Sequence, residues 1–119
     1  MNEETKLKLI DKQLKAYNQK DIDLFLDCWD QNANIFLHPN TLVAEGIKEI
    51  KDRHLSRFQE PDLFAKLISR TSFNGKIVDH ELVTRNFPEG KGTIEVLAIY
   101  EILNQKICNA WFLIGEPKF

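Results

Sequence analysis

From residue 63 onward, the sequence changes from helical spacing to segments typical of strands separated by turns. Four segments rich in β-branched, aromatic and leucine residues follow one another: 63–73, 76–87, 93–103 and 106–114. Asn74-Gly75 separates the first two and predicts a type I′ hairpin turn, because both central residues of that turn need a positive φ. The second half of the chain is therefore predicted to be an antiparallel meander.

The first half of the chain carries three helical patterns. Residues 4–18 place apolar side chains at helical spacing, namely Leu7, Ile10, Leu14 and Tyr17. Asp21 is a suitable N-cap for a second helix, whose apolar positions are Ile22, Phe25, Leu26 and Trp29. A third helix, which Pro61 must end, is indicated by Ile47, Ile50, His54, Leu55 and Phe58.

A short strand and two irregular segments complete the first half. Asp30-Gln31-Asn32 is interpreted as a turn, residues 34–38 as a strand that Pro39 ends, and residues 40–46 as a loop. The sequence shows no internal repeat and no linker, so residues 1–119 are predicted to form a single α+β domain. In it, three helices from the N-terminal half pack on a curved, mainly antiparallel sheet of about five strands.

Composition narrows the possible partners and location. The formal net charge is -2 with interspersed signs, which gives no basic surface for phosphates and argues against a nucleic-acid partner. No segment approaches the ~18 consecutive apolar residues of a membrane span, and the chain starts with acidic residues where a secretory signal would be basic. We therefore expect a cytoplasmic protein with no membrane partner.

Cofactor and metal motifs are not found in the sequence. There is no P-loop, no dinucleotide fingerprint and no Ser/His/Asp hydrolase signature, so no cofactor is expected. The three histidines lack the spacing of an HExxH or HxH motif, which argues against a metal site. Cys28, predicted on a helix, and Cys108, predicted on a strand, are interpreted as reduced thiols, with a disulfide or a reactive thiol as the alternatives.

Two of the predicted strands are apolar on both faces. In segment 93–103, Leu97 and Ile99 lie on the face opposite to the main apolar row, and segment 106–114 has the same character. A sheet covered by helices on one face leaves its other face in water unless a second subunit covers it. A homodimer formed through this outer face is the simplest explanation.

Several short motifs resemble those of a known superfamily. The runs that carry the resemblance are Ala16–Asp23, Trp29–Ile35, Glu45–Ile50, Lys76–Glu81 and Ala98–Glu101, with Lys106-Ile107 and Trp111-Phe112. Together they resemble SnoaL-like proteins, relatives of nuclear transport factor 2, and a bacterial subgroup described as steroid-isomerase-like. The resemblance covers nearly the whole chain and implies a cone-shaped fold around an apolar pocket.

The same resemblance argues against steroid isomerisation itself. Ketosteroid isomerases use an aspartate base together with a tyrosine and a protonated aspartic acid that hold the enolate oxygen. An ungapped placement puts the base position on Leu37, the tyrosine position on Gln13 and the second aspartate near Ala98. All three groups would then be missing, and neither Leu nor Ala can carry or stabilise a proton. A shift in register would offer His38 as a base, but the oxyanion pair would still be absent.

The three histidines are the catalytic candidates. His54 shares a helical face with Ile47 and Ile50, so it is either a core histidine bonded to a carbonyl or part of a pocket wall. His38 ends the first predicted strand, at the rim or on the surface. His80 alternates with Asp79 and Glu81, and only one of these two faces can line a pocket.

If the carboxylate face of this strand points inward, Asp79 and Glu81 form a close like-charge pair in which one pKa is raised. A solvated charged face is the simpler alternative. The residues predicted to line the pocket are Tyr17, Trp29, Leu37, His54, Phe58, His80, Ala98, Tyr100 and Phe112. Their aromatic members are equally consistent with an ordinary core.

These observations lead to three functional hypotheses. The first is a binding protein for a small apolar or amphipathic molecule, with one or two histidines for polar recognition. The second is an isomerase or lyase-like enzyme that moves a proton next to a carbonyl with a histidine base. The third is a protein-interaction module whose outer sheet face is its only functional surface.

Overall fold

The computed structural model describes residues 2–119 as three helices and six strands. The helices are α1 (Glu3–Gln19), α2 (Ile22–Leu26) and α3 (Gly46–Arg57). The strands are β1 (Trp29–Leu37), β2 (Thr41–Glu45), β3 (Phe64–Phe73), β4 (Lys76–Phe87), β5 (Gly90–Leu103) and β6 (Lys106–Ile114). This architecture confirms the α+β class, with six strands where about five were predicted.

All six strands belong to one sheet in the order β2-β1-β6-β5-β4-β3. Strands β3 to β6 pair antiparallel with their neighbours in sequence, which confirms the predicted meander. Strand β1 pairs antiparallel with β2 but parallel with β6, so the sheet is mixed. The parallel pair joins the first half of the chain to the last strand, and the sheet stays open with β2 and β3 as its edges.

The first strand is longer than the sequence indicates, and α2 is shorter. Trp29, predicted on the second helix, begins β1, and Asp30-Gln31-Asn32, predicted as a turn, lies within the same strand. The reason is tertiary, because Ala33 and Ile35 are fully buried under the helices while the strand pairs with β6. The register with β6 shifts between Trp29 and Asn34, and this irregularity hides the alternation expected of a strand.

Residues predicted as a loop form most of β2. This edge strand pairs with β1 from Glu45 to Thr41, and its register shifts beside Ile35 and Phe36. Thr41, Leu42 and Glu45 are exposed, so the strand carries no apolar alternation for sequence analysis to detect. The pairing with β1 alone defines it, which explains the sixth strand.

Two hairpin turns have both central residues in the left-handed region. Asn74 and Gly75 have φ of 51° and 77°, as predicted for the turn between β3 and β4. Asn104 and Gln105 have φ of 52° and 66°, so the turn between β5 and β6 takes the same signs of φ without a glycine. Both turns are two residues long and fix the register of the strands on either side.

The helices pack against one face of the curved sheet. The Asn2 side chain accepts a hydrogen bond from the Thr5 N–H at the start of α1, and the Asp21 side chain accepts one from the Leu24 N–H at the start of α2. One apolar cluster lies under α2 and α3, and a smaller one joins α1 to β3, β4 and β5. None of the helices between residues 2 and 119 combines the length and the apolar character that a membrane span requires.

Candidate functional site

A cavity of about 90 Å³ lies between the helices and the inner face of the sheet. The three helices form one wall, and strand β1 together with strands β3 to β6 forms the other. The apolar part of the lining comprises Leu14, Phe25, Trp29, Ala65, Val83, Ile94, Val96, Tyr100, Phe112 and Ile114. The polar part comprises Gln13, Tyr17, Arg53, His54, Arg57, Glu81 and Arg85. The cavity is therefore more polar than the sequence predicts.

The inner face of β4 carries the carboxylates, which settles the alternative that the sequence left open. Asp79 and Glu81 are buried at 0% and 6% exposure, while His80 is only half-buried. The His80 Nε2 lies 3.5 Å from a carboxylate oxygen of Glu95, on the outer face of the sheet. His80, predicted to line the pocket, therefore points away from it, because successive side chains on a strand alternate between faces.

Asp79 is held by an arginine from the neighbouring strand. Arg70 donates two hydrogen bonds, from Nε to Oδ1 at 2.7 Å and from Nη2 to Oδ2 at 2.9 Å. The Arg70 Nη1 also lies 3.5 Å from an oxygen of Asp11 on α1. This bidentate ion pair satisfies the Asp79 oxygens, and the hydrogen bonds to Asp79 raise the pKa of Arg70.

Glu81 lies on the same inner face without such a partner. Burial raises the pKa of its carboxyl to about 7, the negative charge of Asp79 adds to the rise, and Arg70 opposes it. Burial also raises the pKa of Tyr17 and Tyr100, whose phenols therefore stay protonated at neutral pH. The cavity wall thus contains one carboxyl group that changes protonation state close to neutral pH.

His54 faces the cavity from α3 and is neutral. Its Nδ1 donates a hydrogen bond to the carbonyl oxygen of Ile50 at 2.8 Å, which leaves Nε2 as an acceptor. Burial is the main cause that lowers its pKa to about 4. The Phe25 ring packs against the imidazole, with a centroid distance of 4.4 Å. His54 therefore offers a hydrogen-bond acceptor and not a positive charge.

Two polar atoms at the cavity wall have no hydrogen-bond partner in the described part of the chain. They are the amide oxygen Oε1 of Gln13 and the indole Nε1 of Trp29, and both are inaccessible to solvent. Gln13 comes from α1 and Trp29 from the start of β1. The Gln13 oxygen is a hydrogen-bond acceptor and the Trp29 nitrogen is a donor, so each lacks a partner of the opposite kind.

Three arginines also line the cavity, and all three are half-buried, whereas Gln13 and Trp29 are buried. Arg85 donates two hydrogen bonds to Glu60, at 3.2 and 2.7 Å, and Arg57 lies 3.7 Å from the same carboxylate. Arg53 is half-buried on α3, and no carboxylate of residues 2–119 lies within ion-pairing distance of it. Burial and the charges of Arg57 and Arg85 lower the pKa of its guanidinium.

The predicted lining residues divide into two groups. Tyr17, Trp29, His54, Tyr100 and Phe112 line the cavity. Leu37, Phe58, His80 and Ala98 lie outside it. Ala98 is fully buried in the apolar core. The Phe58 ring packs against the Tyr17 ring with a centroid distance of 5.5 Å, and Leu37 lies at the end of β1. His38 follows that strand end and is exposed, so it is not part of the site.

Sequence reasoning missed the arginines and the position of Gln13. Arg53 and Arg57 are four residues apart on α3 and flank His54, a spacing that places them on neighbouring parts of one helix face. Arg85 belongs to the same alternation as Glu81 and Val83 on β4. This spacing was visible in the sequence, but charged residues at such positions are usually solvated. Within residues 2–119, no cluster of three His, Cys, Asp or Glu side chains suited to a metal occurs.

The architecture matches solved structures with little sequence identity. An uncharacterized cystatin fold protein from Novosphingobium aromaticivorans superposes with a TM-score of 0.84 at 20% identity, over 91% of this chain and 97% of that chain. A putative SnoaL-like polyketide cyclase from Shewanella denitrificans superposes with a TM-score of 0.81 at 10% identity, over 92% of this chain and 90% of that chain.

A hypothetical protein from Catenulispora acidiphila with a ketosteroid isomerase-like fold superposes with a TM-score of 0.74 at 5% identity, over 87% of this chain and 82% of that chain. The chain therefore has the fold of these SnoaL-like and ketosteroid-isomerase-like proteins. This confirms the fold that the resemblance implied. No family profile matches the sequence, and no curated protein matches it in a sequence comparison.

Proposed function

We propose that this protein binds a small amphipathic molecule in the cavity between its helices and its sheet. The observation that carries the proposal is the pair of unpartnered polar atoms at the cavity wall, Gln13 Oε1 and Trp29 Nε1. A buried polar group without a partner costs about 1–3 kcal/mol, so a ligand or ordered water that meets both atoms is favoured.

The size of the cavity limits the ligand. A volume of about 90 Å³ holds roughly three water molecules at about 30 Å³ each, so the enclosed part takes a group of only a few heavy atoms and the rest of a larger ligand extends towards the solvent. The mixture of aromatic and polar lining fits a molecule with an apolar body and a polar group. The related fold from Catenulispora acidiphila was solved in complex with trimethylamine, which also is small.

Benzamide is a suitable neutral probe for this proposal. Its amide oxygen accepts a hydrogen bond and its amide nitrogen donates one, which matches the free donor of Trp29 and the free acceptor of Gln13. The chain contains two tryptophans, and Trp111 stacks on Phe36 with a centroid distance of 5.6 Å, away from the cavity lining. In a nitrogen-15 NMR titration, the Trp29 indole signal should shift and saturate while the Trp111 signal stays in place.

Gln13→Leu provides the test of the contact itself. The variant removes the unpartnered oxygen, so it should raise the free energy of unfolding by about 1–2 kcal/mol and weaken benzamide binding. Gln19→Leu, an exposed position on the same helix, is the matched control and should leave binding unchanged. Absence of a saturable Trp29 shift at millimolar benzamide and benzoate would contradict the proposal.

A second candidate function is proton transfer next to a carbonyl, and the specific observation that favours it is Glu81. A carboxyl with a pKa of about 7 at a cavity wall is half ionised at neutral pH, so it takes up and returns a proton readily. His54, the predicted histidine base, has a pKa of about 4 and is a weak base. In this candidate function, Glu81 takes the base role that the sequence had assigned to a histidine.

Acetophenone in D₂O tests the second candidate. The ionised Glu81 carboxylate would remove a methyl proton, the C–H electron pair would form the enolate, and a deuteron would return to the same carbon. NMR should show enzyme-dependent loss of the methyl proton signal that disappears in Glu81→Gln. Exchange at the same rate in the variant would exclude Glu81 as the base.

We further propose that the protein forms a homodimer through the outer face of the sheet. The supporting observation is the pairing of Leu97 with Leu113 and of Ile99 with Trp111 across β5 and β6. All four side chains are half-buried or exposed on the face that no helix covers. An apolar surface of this kind is typical of a subunit interface.

A further inference from the structure

The arginine end of the cavity carries more positive than negative charge. Arg57 and Arg85 share one carboxylate, Glu60, whose oxygens lie within 3.7 Å of both guanidinium groups. Arg53 adds a third guanidinium, which has no carboxylate partner among residues 2–119. Asp62, the next acidic residue along the chain, accepts a hydrogen bond from Asn86 and lies 3.9 Å from Lys91. The cavity mouth therefore has a surplus of cationic groups.

Placing Arg53 at this position is unfavourable in the unliganded protein. It is half-buried against two other guanidinium groups, and both burial and their charges lower its pKa. Arginine presents its donors in a planar fork that matches two oxygens of a carboxylate. An anionic group bound there would replace the water lost on burial and offset the repulsion among the three arginines.

The position of Glu81 determines how such a ligand is oriented. Glu81 lies four residues before Arg85 on the same face of β4, so the two residues are separated by roughly 13 Å along the strand. When ionised, Glu81 repels an anion, so the negative group of a ligand is favoured at the arginine end. The unpartnered atoms of Gln13 and Trp29 are then left for an uncharged part of the molecule.

We propose that the ligand of this cavity is a small organic carboxylate whose carboxylate is bound by Arg53. The inference rests on the proposed binding function and adds the chemical class of the ligand. The supporting geometry is that the Arg53 guanidinium lines the cavity without a carboxylate partner among residues 2–119, whereas the other two arginines share Glu60. The apolar body of the ligand packs between Phe25, Val96 and Phe112.

Benzoate and benzamide form a matched pair for the test, because they have the same size and shape and differ in charge. The Trp29 indole signal reports binding of either probe, and the Trp111 signal serves as the internal control. We expect benzoate to bind about tenfold or more tightly than benzamide at low ionic strength, since a hydrogen bond to a charged group is stronger than one between neutral groups. Added salt should reduce the difference.

Variants of α3 assign the effect to one residue. Arg53→Gln should weaken benzoate binding by about tenfold and benzamide binding by much less, while Arg53→Lys should retain part of the benzoate preference. Lys51→Gln removes an exposed cation from the same helix and should change neither affinity. Thermal unfolding of each variant checks that the fold persists.

The outcomes separate the two proposals. Benzamide binding as tight as benzoate binding would overturn the carboxylate inference while the binding function stands. A benzoate preference that survives Arg53→Gln would overturn the role of Arg53. If neither probe shifts the Trp29 signal at millimolar concentration, both proposals fail.

Discussion

Asp79 and Glu81 lie on the same inner face of β4, yet only Asp79 has a cationic partner, with Arg70 Nε at 2.7 Å from its carboxylate. The two acidic groups are two residues apart and are both buried. Arg70 is engaged by Asp79 and does not pair with Glu81. Burial and the nearby negative charge of Asp79 therefore disfavour ionisation of the Glu81 carboxyl, and its pKa rises to about 7. One strand thus carries a structural ion pair and a titratable cavity group side by side.

Glu81→Gln should stabilise the protein in mildly alkaline solution. The folded-state pKa of about 7 is above the ordinary value of 4.5, so the stability associated with this carboxyl is complete below pH 4.5 and is lost as the pH rises through 7. The gain in free energy of unfolding on substitution should be about 3 kcal/mol larger at pH 8.5 than at pH 4.5. Urea unfolding at the two pH values measures it, and Glu89→Gln in an exposed turn is the control.

His54→Leu should have the opposite pH dependence. The folded-state pKa of about 4 is below the ordinary 6.5, so the stability tied to the neutral imidazole is complete above pH 6.5 and is lost as the pH falls towards 4. Between pH 7.5 and pH 4, the free energy of unfolding of the variant should rise by about 3 kcal/mol relative to that of the wild type. The same comparison with His38→Gln measures the contribution of an exposed histidine. A pH-independent difference for His54→Leu would contradict this account.

Replacing Arg70 should destabilise the fold strongly. Arg70→Met leaves the Asp79 carboxylate buried without its cation, and breaking one partner of a buried pair costs about 3–5 kcal/mol. Lys76→Met is the matched control, because Lys76 lies 3.8 Å from Glu101 in an exposed pair, where a loss below about 1 kcal/mol is expected. The double variant Arg70→Met, Asp79→Leu should recover much of the lost free energy of unfolding, because it also removes the unpaired carboxylate. If the double variant is as unstable as Arg70→Met, the unpaired Asp79 carboxylate is not the cause of the loss.

Leu97→Glu should shift the protein from dimer to monomer. Leu97 pairs with Leu113 on the uncovered face of the sheet, and a carboxylate buried at the centre of an interface is unfavourable. Leu24→Glu introduces the same change at an exposed position on α2, and it should leave the mass unchanged. Light scattering after size exclusion measures the mass, and a wild-type monomer at micromolar concentration would rule the dimer out.

Isomerisation of Δ5-3-ketosteroids should be negligible. We expect this because the ungapped placement puts the three catalytic positions of ketosteroid isomerases on Gln13, Leu37 and Ala98, and removing even one oxyanion donor costs ~10²–10³ in rate. Gln13 lines the cavity, whereas Leu37 and Ala98 lie outside it. An absorbance assay with the steroid substrate measures turnover, and a rate near that of an authentic isomerase would show the placement of these positions to be wrong.

Much of the fold was predictable because it depends on local chemistry. Asn74-Gly75 fixes a hairpin by its positive φ angles, and Asp21 caps α2 by its own side chain. The alternation of Ile77, Asp79, Glu81 and Val83 on β4 was likewise visible in the sequence. Each of these features is decided within a few residues of the chain.

The sequence by itself determined the α+β class and the meander, and it named the candidate His54 and, as one of two open alternatives, an inward face with Asp79 and Glu81. Tertiary structure decided which face of β4 looks inward, because burial depends on where α1 packs and not on the alternation itself. It also converted residues 29–32 and 41–45 into strand by pairing them across the sheet. Only the folded chain brings Arg53 on α3 and Arg85 on β4 to the same cavity. These residues lie far apart in the sequence, so long-range packing decides the charge of the site.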